Sequence, residues 1–403
     1  MDEHPLVSIV TPSLNQKEFL PAAIESVLRQ EYPRLEYLVV DGGSTDGSLE
    51  ILRSYEGRLR WISEPDTGQA NAINKGFRRC SGEIVAWINS DDVLLKGAVE
   101  KAVKAFRREP DLGMVYGDGY LIDERGVVKR RFPYTEPPNL WRLVYYSDII
   151  LQQAVFMRKS ALAEVGYLDE TLHWGLDWDL FIRLGKRYRV RYLPEYLACL
   201  REYGMTKTYT GGYRRLQELG RVIRRHAGRL LTPSYLGYAV DYGLVQLPEM
   251  LRARLPGGLG EPAARAVRRL VSAVADLVWW YVEDCQGWYP DGGAGRKARF
   301  LLPNLRRPAQ IVIEGRLPQY SPEPARQSLT VVANGRPLVK VNLPPGPFRL
   351  VAPAPAWLTE AEVVRVDLVA EECISERHYA AVLRARRISY FVDRVEMAPL
   401  EMG

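Results

Sequence analysis

The sequence predicts an α/β domain with a mainly parallel sheet, followed by a helical connector and an all-β module of sandwich type. Three features of the 403-residue chain predict this order. Strand-like apolar runs alternate with helical spacing up to about residue 184, the spacing becomes wholly helical from residue 213, and short β-branched runs separated by Pro and Gly begin at residue 287. We therefore expect domains at residues 1–212, 213–286 and 287–403.

The first domain repeats a strand-then-helix unit. Residues 7–12 and 37–40 form apolar runs typical of buried strands, and each is followed by a stretch with helical spacing. Such alternation implies a mainly parallel sheet covered on both faces, which binds ligands at the carboxyl ends of its strands. The other predicted elements are strands at 59–63, 84–88, 114–116 and 152–158, and helices at 69–79, 98–108 and 176–184.

The two later domains differ in pattern. Leu216, Leu219, Ile223 and Leu230 mark an apolar stripe on a helix that is rich in arginine on its other face. We favour a solvated arginine face over a buried leucine stripe, and the alternative is a helix that rests on anionic lipid. Further on, Asn334-Gly335 between two β-branched runs predicts a hairpin, and so an antiparallel sandwich.

Composition indicates a folded cytoplasmic protein. Hydrophobic residues make up 47% and charged residues 26%, which is ordinary for globular domains. The four cysteines are too widely spaced for a C-x-x-C metal site or a disulfide framework. The polar, acidic N-terminus lacks the layout of a signal peptide, and the longest apolar stretch, residues 270–282, is short for a bilayer span. The net charge of +6 suits phosphorylated substrates, anionic lipid or nucleic acid without choosing among them.

Two adjacent carboxylates carry the strongest chemical signal. Asn89-Ser90-Asp91-Asp92 follows directly after the apolar run at 84–88. Mg²⁺ and Mn²⁺ take carboxylate oxygens together with substrate phosphates, so the pair can bridge a metal to a diphosphate. Asp is also favoured as a helix N-cap, and a helix beginning at Val93 is the alternative. The pair alone does not decide between them.

Asp41 also has two interpretations. Its carboxylate, at the end of a second parallel strand, can accept a hydrogen bond from a base or ribose, or residues 41–48 can be a Gly-rich loop that caps the next helix. The chain has neither G-x-G-x-x-G after a first strand nor a G-x-x-x-x-G-K-[ST] loop. A dehydrogenase or a P-loop enzyme is therefore not expected.

Five segments in order resemble the family 2 glycosyltransferases, which have the GT-A fold, and the resemblance covers residues 6–208. The segments SIVTPSLN, VVDGGSTDGS, EPDTGQ, NAINKG and NSDD occupy residues 8–15, 39–48, 64–69, 71–76 and 89–92. The resemblance implies inverting transfer from a nucleoside diphosphate sugar, with a UDP-sugar expected, and with Mn²⁺ or Mg²⁺ as cofactor. A non-catalytic protein that binds a nucleotide-sugar or a glycan is the alternative.

The resemblance also assigns site residues. It places Thr11, Pro12 and Asn15 in the nucleoside pocket, Asp41 against the base and Asp66 beside the nucleotide, with Asp92 as the direct metal ligand. Asn71, Ser90 and Asp91 join the donor site on the same basis. Lys75 either meets the diphosphate or is a surface lysine at the end of its helix.

The same comparison assigns the general base to Asp177. An inverting transfer needs a base to take the proton of the acceptor hydroxyl. The family carries a Glu-Asp pair at the start of a helix, whereas this chain has Leu176 before Asp177. Asp179 points to a different face of the helix and is expected to be a cap or structural partner, with Arg183 near either carboxylate.

Several other residues are candidates near the sugar or the diphosphate. Relatives often carry a glutamine near the sugar pocket where this chain has Gln152 and Gln153, and the alternative is a polar strand start without a direct role. His173 and Trp174 lie just before Asp177, where an aromatic ring can stack on a sugar face, and a core position is the alternative for Trp174. Arg201 and Lys207 are candidates to neutralise the diphosphate. Tyr203 replaces a histidine of many relatives. The expected acceptor is a glycan or lipid-linked molecule, and no nucleic acid partner is expected. Peripheral association with the inner face of the plasma membrane and a homo-oligomer are compatible with this assignment.

Overall fold

The computed structural model contains two compact units. It describes residues 4–203, 211–256, 258–286, 293–294, 297–303, 309–317, 327–344, 346–355, 358, 363–370, 374–375, 387–388 and 390–399. One unit comprises Met1–Pro138, Asp148–Leu184 and Tyr188–Val222, and the other Asn139–Ser147, Gly185–Arg187 and Ile223–Gly403. The expected domain boundaries after residues 212 and 286 stay a prediction.

The first unit alternates strands and helices as the sequence predicts. Its strands are β1 (Val7–Ser13), β2 (Leu35–Asp41), β3 (Arg60–Ser63), β4 (Ile84–Trp87), β5 (Val93–Leu94), β6 (Leu112–Ile122), β7 (Val128–Arg131), β8 (Val155–Arg158) and β9 (Arg189–Arg201). The helices from here to residue 227 are α1 (Leu20–Leu28), α2 (Ser48–Ser54), α3 (Gln69–Arg79), α4 (Ala98–Arg108), α5 (Leu140–Tyr145), α6 (Lys159–Val165), α7 (Leu176–Arg187) and α8 (Gly212–Ala227), of which α5 belongs to the second unit.

These strands form one mixed sheet in the order β3-β2-β1-β4-β8-β6-β9-β5, with β7 paired to β6. The strands β1 to β4 are parallel to one another. The strand β8 is antiparallel to both β4 and β6, while β6 and β9 are parallel. The predicted parallel sheet is therefore confirmed in its first half, and the second half is mixed.

Burial on both faces explains the continuous apolar runs. Every residue of β1 and β4 is buried. The helix α3 lies against β1 so closely that a Cβ at Gly76 would be 2.4 Å from the nearest methyl group of Val10. Only glycine permits this approach of helix to strand.

Two local predictions are corrected. Residues 152–154 form a 3₁₀ turn, and the strand begins only at Val155. Val93 does not begin a helix, because Val93 and Leu94 pair with Cys199 and Ala198 as β5, and the next helix begins at Ala98. The interpretation of Asp91 and Asp92 as a helix cap is therefore wrong.

The second unit has a helical segment and two antiparallel sheets. Its helices are α9 (Pro233–Asp241), α10 (Leu247–Arg254) and α11 (Gly260–Gln286), with a π-helical turn at Tyr242–Gln246. Its strands are β10 (Gly293–Ala294), β11 (Lys297–Pro303), β12 (Ala309–Leu317), β13 (Gln327–Ala333), β14 (Arg336–Leu343), β15 (Gly346–Pro353), β16 (Val363–Ala370), β17 (Ile374–Ser375), β18 (Arg387–Ile388) and β19 (Tyr390–Pro399).

The predicted sandwich is confirmed. The four-stranded sheets β10-β19-β12-β15 and β11-β16-β13-β14 share one apolar core, to which β12 contributes Ile311 and Ile313 and β13 contributes Leu329 and Val331. The predicted hairpin joins β13 to β14, and both Asn334 and Gly335 have positive φ angles, as its two-residue turn requires.

The arginine-rich helix α8 has the arrangement that we favour from the sequence. Leu216, Leu219 and Ile223 are buried, whereas Arg214 and Arg224 are exposed. Leu230 lies beyond the end of the helix. Within the described part of the chain, no helix is both long and apolar enough to cross a bilayer.

Candidate active site

The predicted site residues gather where the parallel strands of the first unit end. Ser13 pairs with Asp41 at the ends of β1 and β2, and Asp41 pairs with Ser63 at the end of β3. The strand β4 ends nearby at Trp87, just before Asn89. The carboxyl edge of the sheet is where an open α/β sheet binds its ligands.

Asp41 organises its own loop. Its Oδ2 accepts hydrogen bonds from the amides of Gly43 and Ser44, both 2.9 Å, and from the hydroxyl of Ser63 at 2.7 Å. Its Oδ1 accepts from the hydroxyl of Ser44 at 2.5 Å. The side chain is fully buried, so its acceptor capacity is used within the protein.

Asp66 is placed differently, because its carboxylate lies over the backbone of Gly42. A Cβ at Gly42 would be 2.4 Å from Oδ2 of Asp66 and 3.5 Å from a methyl group of Leu14. Oδ1 accepts the amide of Gly68 at 2.8 Å, and no described residue donates to Oδ2. Leu14 is 50% exposed. Asp66 thus presents one open acceptor beside an exposed apolar side chain.

The three residues predicted for the nucleoside pocket separate. The hydroxyl of Thr11 is buried and lies 3.0 Å from that of Tyr37, inside the sheet. Pro12 is buried in β1. Asn15, with a positive φ of 53°, reaches the open edge, where its Oδ1 accepts the amide of Thr45 at 2.9 Å. The structure therefore brings Asn15 to the loop that Asp41 organises.

Asp92 is buried and surrounded by donors. Its Oδ1 accepts the amide of Arg201 at 2.8 Å. Its Oδ2 accepts from the side-chain amides of Gln153 at 2.7 Å and Asn89 at 3.0 Å. Burial, and next the charge of Asp91, raise the pKa of Asp92 to about 8, against the lowering effect of these three hydrogen bonds.

Asp91 is the more open carboxylate of the pair. Its Oδ2 accepts the hydroxyl of Tyr203 at 3.0 Å, and no described side chain donates to its Oδ1. Burial raises the pKa of Asp91 above its usual value, and the hydrogen bond from Tyr203 opposes that shift. Ser90, between the strand and the pair, is buried. Of the two aspartates, Asp91 is therefore the one with an oxygen, Oδ1, that accepts no hydrogen bond from another described residue.

Arg201 connects the segment that contains Asp91 and Asp92 to residues 123 and 124. Its Nε donates to the carbonyl of Asp91 at 2.7 Å, and its Nη1 donates to the carbonyls of Asp123 and Glu124 at 2.9 and 2.8 Å. The guanidinium also lies 4.8 Å from the ring centre of Phe19. These contacts engage Arg201 with the backbone rather than with the open edge. Lys207 lies outside the described residues.

A row of side-chain amides crosses the same edge. Gln69 donates to Asn89 at 2.8 Å, and Asn89 donates to Gln152 at 3.2 Å. Gln152 in turn donates to the carbonyl of Trp87 at 2.9 Å. Gln152 and Gln153 therefore support the Asn89–Asp92 segment. Sequence reasoning missed Gln69 in this role, although the EPDTGQ segment contains it.

Two other residues that are predicted to contact the nucleotide-sugar, Asn71 and Lys75, make hydrogen bonds to other protein groups. The amide nitrogen of Asn71 donates to Glu170 at 2.7 Å. The ammonium of Lys75 donates to the carbonyl of Pro65 at 2.7 Å and pairs with Glu64 at 3.2 Å. Both lie on α3, and both connect it to neighbouring loops.

The helix α7 presents Asp177 and Asp179 in different settings, as their spacing predicts. Asp179 is fully buried and pairs with Arg183, whose Nε lies 2.8 Å from its Oδ2. Arg183 also donates to the carbonyls of Val165 and Tyr167 at 2.6 and 2.7 Å. Asp179 is therefore the structural partner, while Asp177 is only half-buried, in the first turn of the helix.

Asp148 is a second carboxylate beside Asp177 that the sequence did not single out. Burial, and next the negative charge of Asp177, raise the pKa of Asp148 well above its ordinary value. Both effects favour the protonated form of this carboxyl group. Because Asp148 stands in a segment without a recognisable pattern, no sequence signal points to it.

Comparison with known proteins decides the family. The sequence model described as Glycosyl transferase family 2 matches residues 8–166. A PGL/p-HBAD biosynthesis glycosyltransferase of Mycobacterium bovis is 31% identical over 208 residues, which are 50% of this chain and 78% of that protein. The chain belongs to glycosyltransferase family 2.

Other similarities to this glycosyltransferase are partial. The O-antigen biosynthesis protein RfbC of Myxococcus xanthus is 30% identical over 268 residues, covering 62% of this chain but only 20% of that protein. The chain thus spans about a fifth of that relative. The crystal structure of S. aureus TarS 1-349 in complex with UDP-GlcNAc has a TM-score of 0.46 at 17% identity, over 68% of this chain and 92% of the other.

Proposed function

We propose that this glycosyltransferase moves a sugar, with inversion, from a nucleoside diphosphate sugar to a hydroxyl group of a glycan or lipid-linked acceptor. The observation that carries the proposal is the open carboxylate of Asp91 at the edge of the sheet, opposite the closed carboxylate of Asp92. A structural aspartate pair would have both carboxylates filled by protein donors.

We assign the contact with the nucleobase of the sugar donor to Asp66 rather than to Asp41. Asp41 has four protein donors, whereas Asp66 keeps Oδ2 open beside Leu14. Uracil offers one N–H donor between two carbonyl groups, while guanine offers two neighbouring donors that suit both oxygens of a carboxylate. Since Oδ1 of Asp66 already accepts the amide of Gly68, one open oxygen favours uracil, and we propose a UDP-sugar.

A divalent cation fits Asp91 better than Asp92. Among the described residues there is no group of three or more His, Cys, Asp or Glu side chains that would hold a metal by themselves. Mg²⁺ and Mn²⁺ can be held by one or two carboxylates together with substrate phosphates, and Asp91 offers one such oxygen. When bound, the cation would offset the charge of the leaving diphosphate. Asp92 would hold Asp91 and its loop in place.

Asp177 is proposed as the general base. The acceptor oxygen attacks the anomeric carbon, its proton passes to Asp177, and the bond between the sugar and the diphosphate breaks. The raised pKa of the neighbouring Asp148 favours its protonated form, and this arrangement leaves the negative charge on Asp177. Asp179 cannot take this role while it is buried against Arg183.

The biological setting is proposed from the relatives. The Myxococcus protein is named for O-antigen biosynthesis and the mycobacterial protein for PGL/p-HBAD biosynthesis. We propose that the acceptor belongs to a bacterial surface polysaccharide or glycolipid.

A donor screen tests the proposal. Thermal shift and released nucleoside diphosphate are measured with UDP-, GDP- and dTDP-sugars, with Mn²⁺ and with excess chelator. We expect stabilisation by UDP-sugars and slow release of UDP that needs the metal. Stabilisation without release, across a panel of glycan acceptors, would favour the non-catalytic alternative. Turnover that is undiminished in excess chelator would exclude a divalent cation from the reaction.

A further inference from the structure

Three successive backbone amides before α7 converge on one carboxylate. Oε1 of Glu218 accepts hydrogen bonds from Trp174 at 2.6 Å, His173 at 2.9 Å and Gly175 at 3.0 Å. Oε2 accepts a second bond from His173 at 2.9 Å. Consecutive amides that point to one place form a cradle for an anion, and here a side chain of α8 fills it.

Glu218 is committed to this contact. Its side chain is 1% exposed, and among the residues that the structure describes it makes an ion pair with Arg221, 3.9 Å away on the outer side of α8. Burial of a carboxylate without hydrogen-bond donors is unfavourable, and the three amides offset that cost. The carboxylate therefore fixes the backbone of residues 173–175 to α8 rather than to α7 alone.

Packing reinforces the attachment. A Cβ at Gly175 would lie 3.2 Å from Leu219 and 3.3 Å from Val222, both on α8. A Cβ at Gly211, just before α8, would lie 2.6 Å from the indole nitrogen of Trp174. The loop at 173–175 thus lies close to α8 through Gly175, and close to Gly211, the residue before α8, through Trp174.

The same loop connects two parts of the proposed site. Asp177 follows Gly175 in the first turn of α7. The ring of His173 faces Gly68, with Cε1 3.6 Å from the position that a Cβ would take there. Gly68 is the residue whose amide holds Asp66. A shift of residues 173–175 would therefore move the base and the contact with the donor loop together.

We propose that Glu218 is a positioning residue, which holds Asp177 and His173 in register with the donor by fixing the backbone before α7. The inference rests on the proposed role of Asp177 as base. Loss of the carboxylate frees three amides and loosens the first turn of α7. A displacement of a catalytic group by about 1 Å can reduce turnover about a hundredfold.

Glu218→Ala and Glu218→Gln are compared with Gln217→Ala, which changes the exposed neighbouring position on α8. We expect kcat to fall about 10- to 100-fold in Glu218→Ala, with UDP affinity within about twofold of the wild type. Glu218→Gln keeps one acceptor oxygen but turns an N–H₂ group toward the amides, so its kcat lies in between. It serves as the test variant if Glu218→Ala does not fold.

Two further measurements separate positioning from general destabilisation. Hydrogen exchange should show faster exchange of the amides of residues 173–175 in Glu218→Ala and no change in Gln217→Ala. Sodium acetate, but not sodium chloride at equal ionic strength, should restore part of the lost kcat by filling the cradle.

The inference is overturned if Glu218→Ala exchanges these amides as the wild type does, or if its kcat equals that of Gln217→Ala. If no donor is turned over by the wild type, the proposed function fails by itself. Hydrogen exchange then still shows whether Glu218 holds the loop.

Discussion

The backbone amide of Arg201 donates a 2.8 Å hydrogen bond to Oδ1 of Asp92, across 109 positions of sequence. This bond joins the end of β9 to the segment after β4. Together with the donors Gln153 and Asn89 it closes the carboxylate of Asp92 toward the protein. The two adjacent aspartates therefore have different environments, and different consequences of substitution follow.

Asp91→Asn is expected to weaken Mn²⁺-dependent UDP binding by about 10-fold or more, because it removes the open ligand oxygen. Its unfolding temperature without metal should stay that of the wild type. Asp92→Asn should lower the unfolding temperature, since its new N–H₂ group faces other donors. Titration calorimetry with UDP and Mn²⁺, beside thermal unfolding, measures both. If Asp92→Asn loses metal-dependent UDP binding at normal stability, while Asp91→Asn keeps it, Asp92 is the metal ligand.

Asp66→Ala is expected to reduce UDP affinity and to abolish the preference for UDP over GDP, because the open acceptor oxygen is lost. Gly42→Ala should have a similar effect, since its Cβ would displace the carboxylate of Asp66. Competition binding with UDP and GDP measures the preference. Ser81→Ala, at an exposed position, is the control. Gly43→Ala is not suitable as a control, because Gly43 has a positive φ that alanine disfavours. A retained preference for UDP in Asp66→Ala would exclude Asp66 as the base contact.

Asp177→Asn is expected to abolish transfer while leaving UDP affinity unchanged, because the amide cannot accept the proton of the acceptor. Asp179→Asn should instead destabilise the fold by about 3 kcal/mol, since it leaves the charge of Arg183 without its buried counter-charge. Single-turnover assays and denaturant unfolding distinguish the two effects. Normal turnover by Asp177→Asn would mean that another residue is the general base.

Asp148→Asn is expected to stabilise the protein more at pH 8 than at pH 4. Burial raises the pKa of Asp148 in the folded chain, so unfolding releases a proton and becomes more favourable as pH rises above the unfolded pKa of about 4. Asparagine does not titrate and removes this penalty. Thermal unfolding across the pH range, with exposed Asp241→Asn as control, measures the difference. A gain in unfolding temperature that does not depend on pH would contradict the raised pKa.

Most of the fold was predictable because its signals are local. The apolar run at residues 84–88 and the helical spacing at 69–79 correspond to β4 and α3. The antiparallel insertion of β8 between β4 and β6 was not predictable, because strand order depends on pairing between distant segments. The short strand β5 was missed for the same reason, since its partner lies in β9.

The sequence by itself determined the order of the domains, the family and the place of the acidic segments at the ends of strands. These follow from periodicity and from ordered short segments, which are properties of neighbouring residues. Only the tertiary structure decided which carboxylates are closed, as in Asp41 and Asp92, and which keep an open oxygen, as in Asp66 and Asp91. That difference depends on donors such as Ser63, Gln153 and the amide of Arg201, which folding brings from elsewhere in the chain.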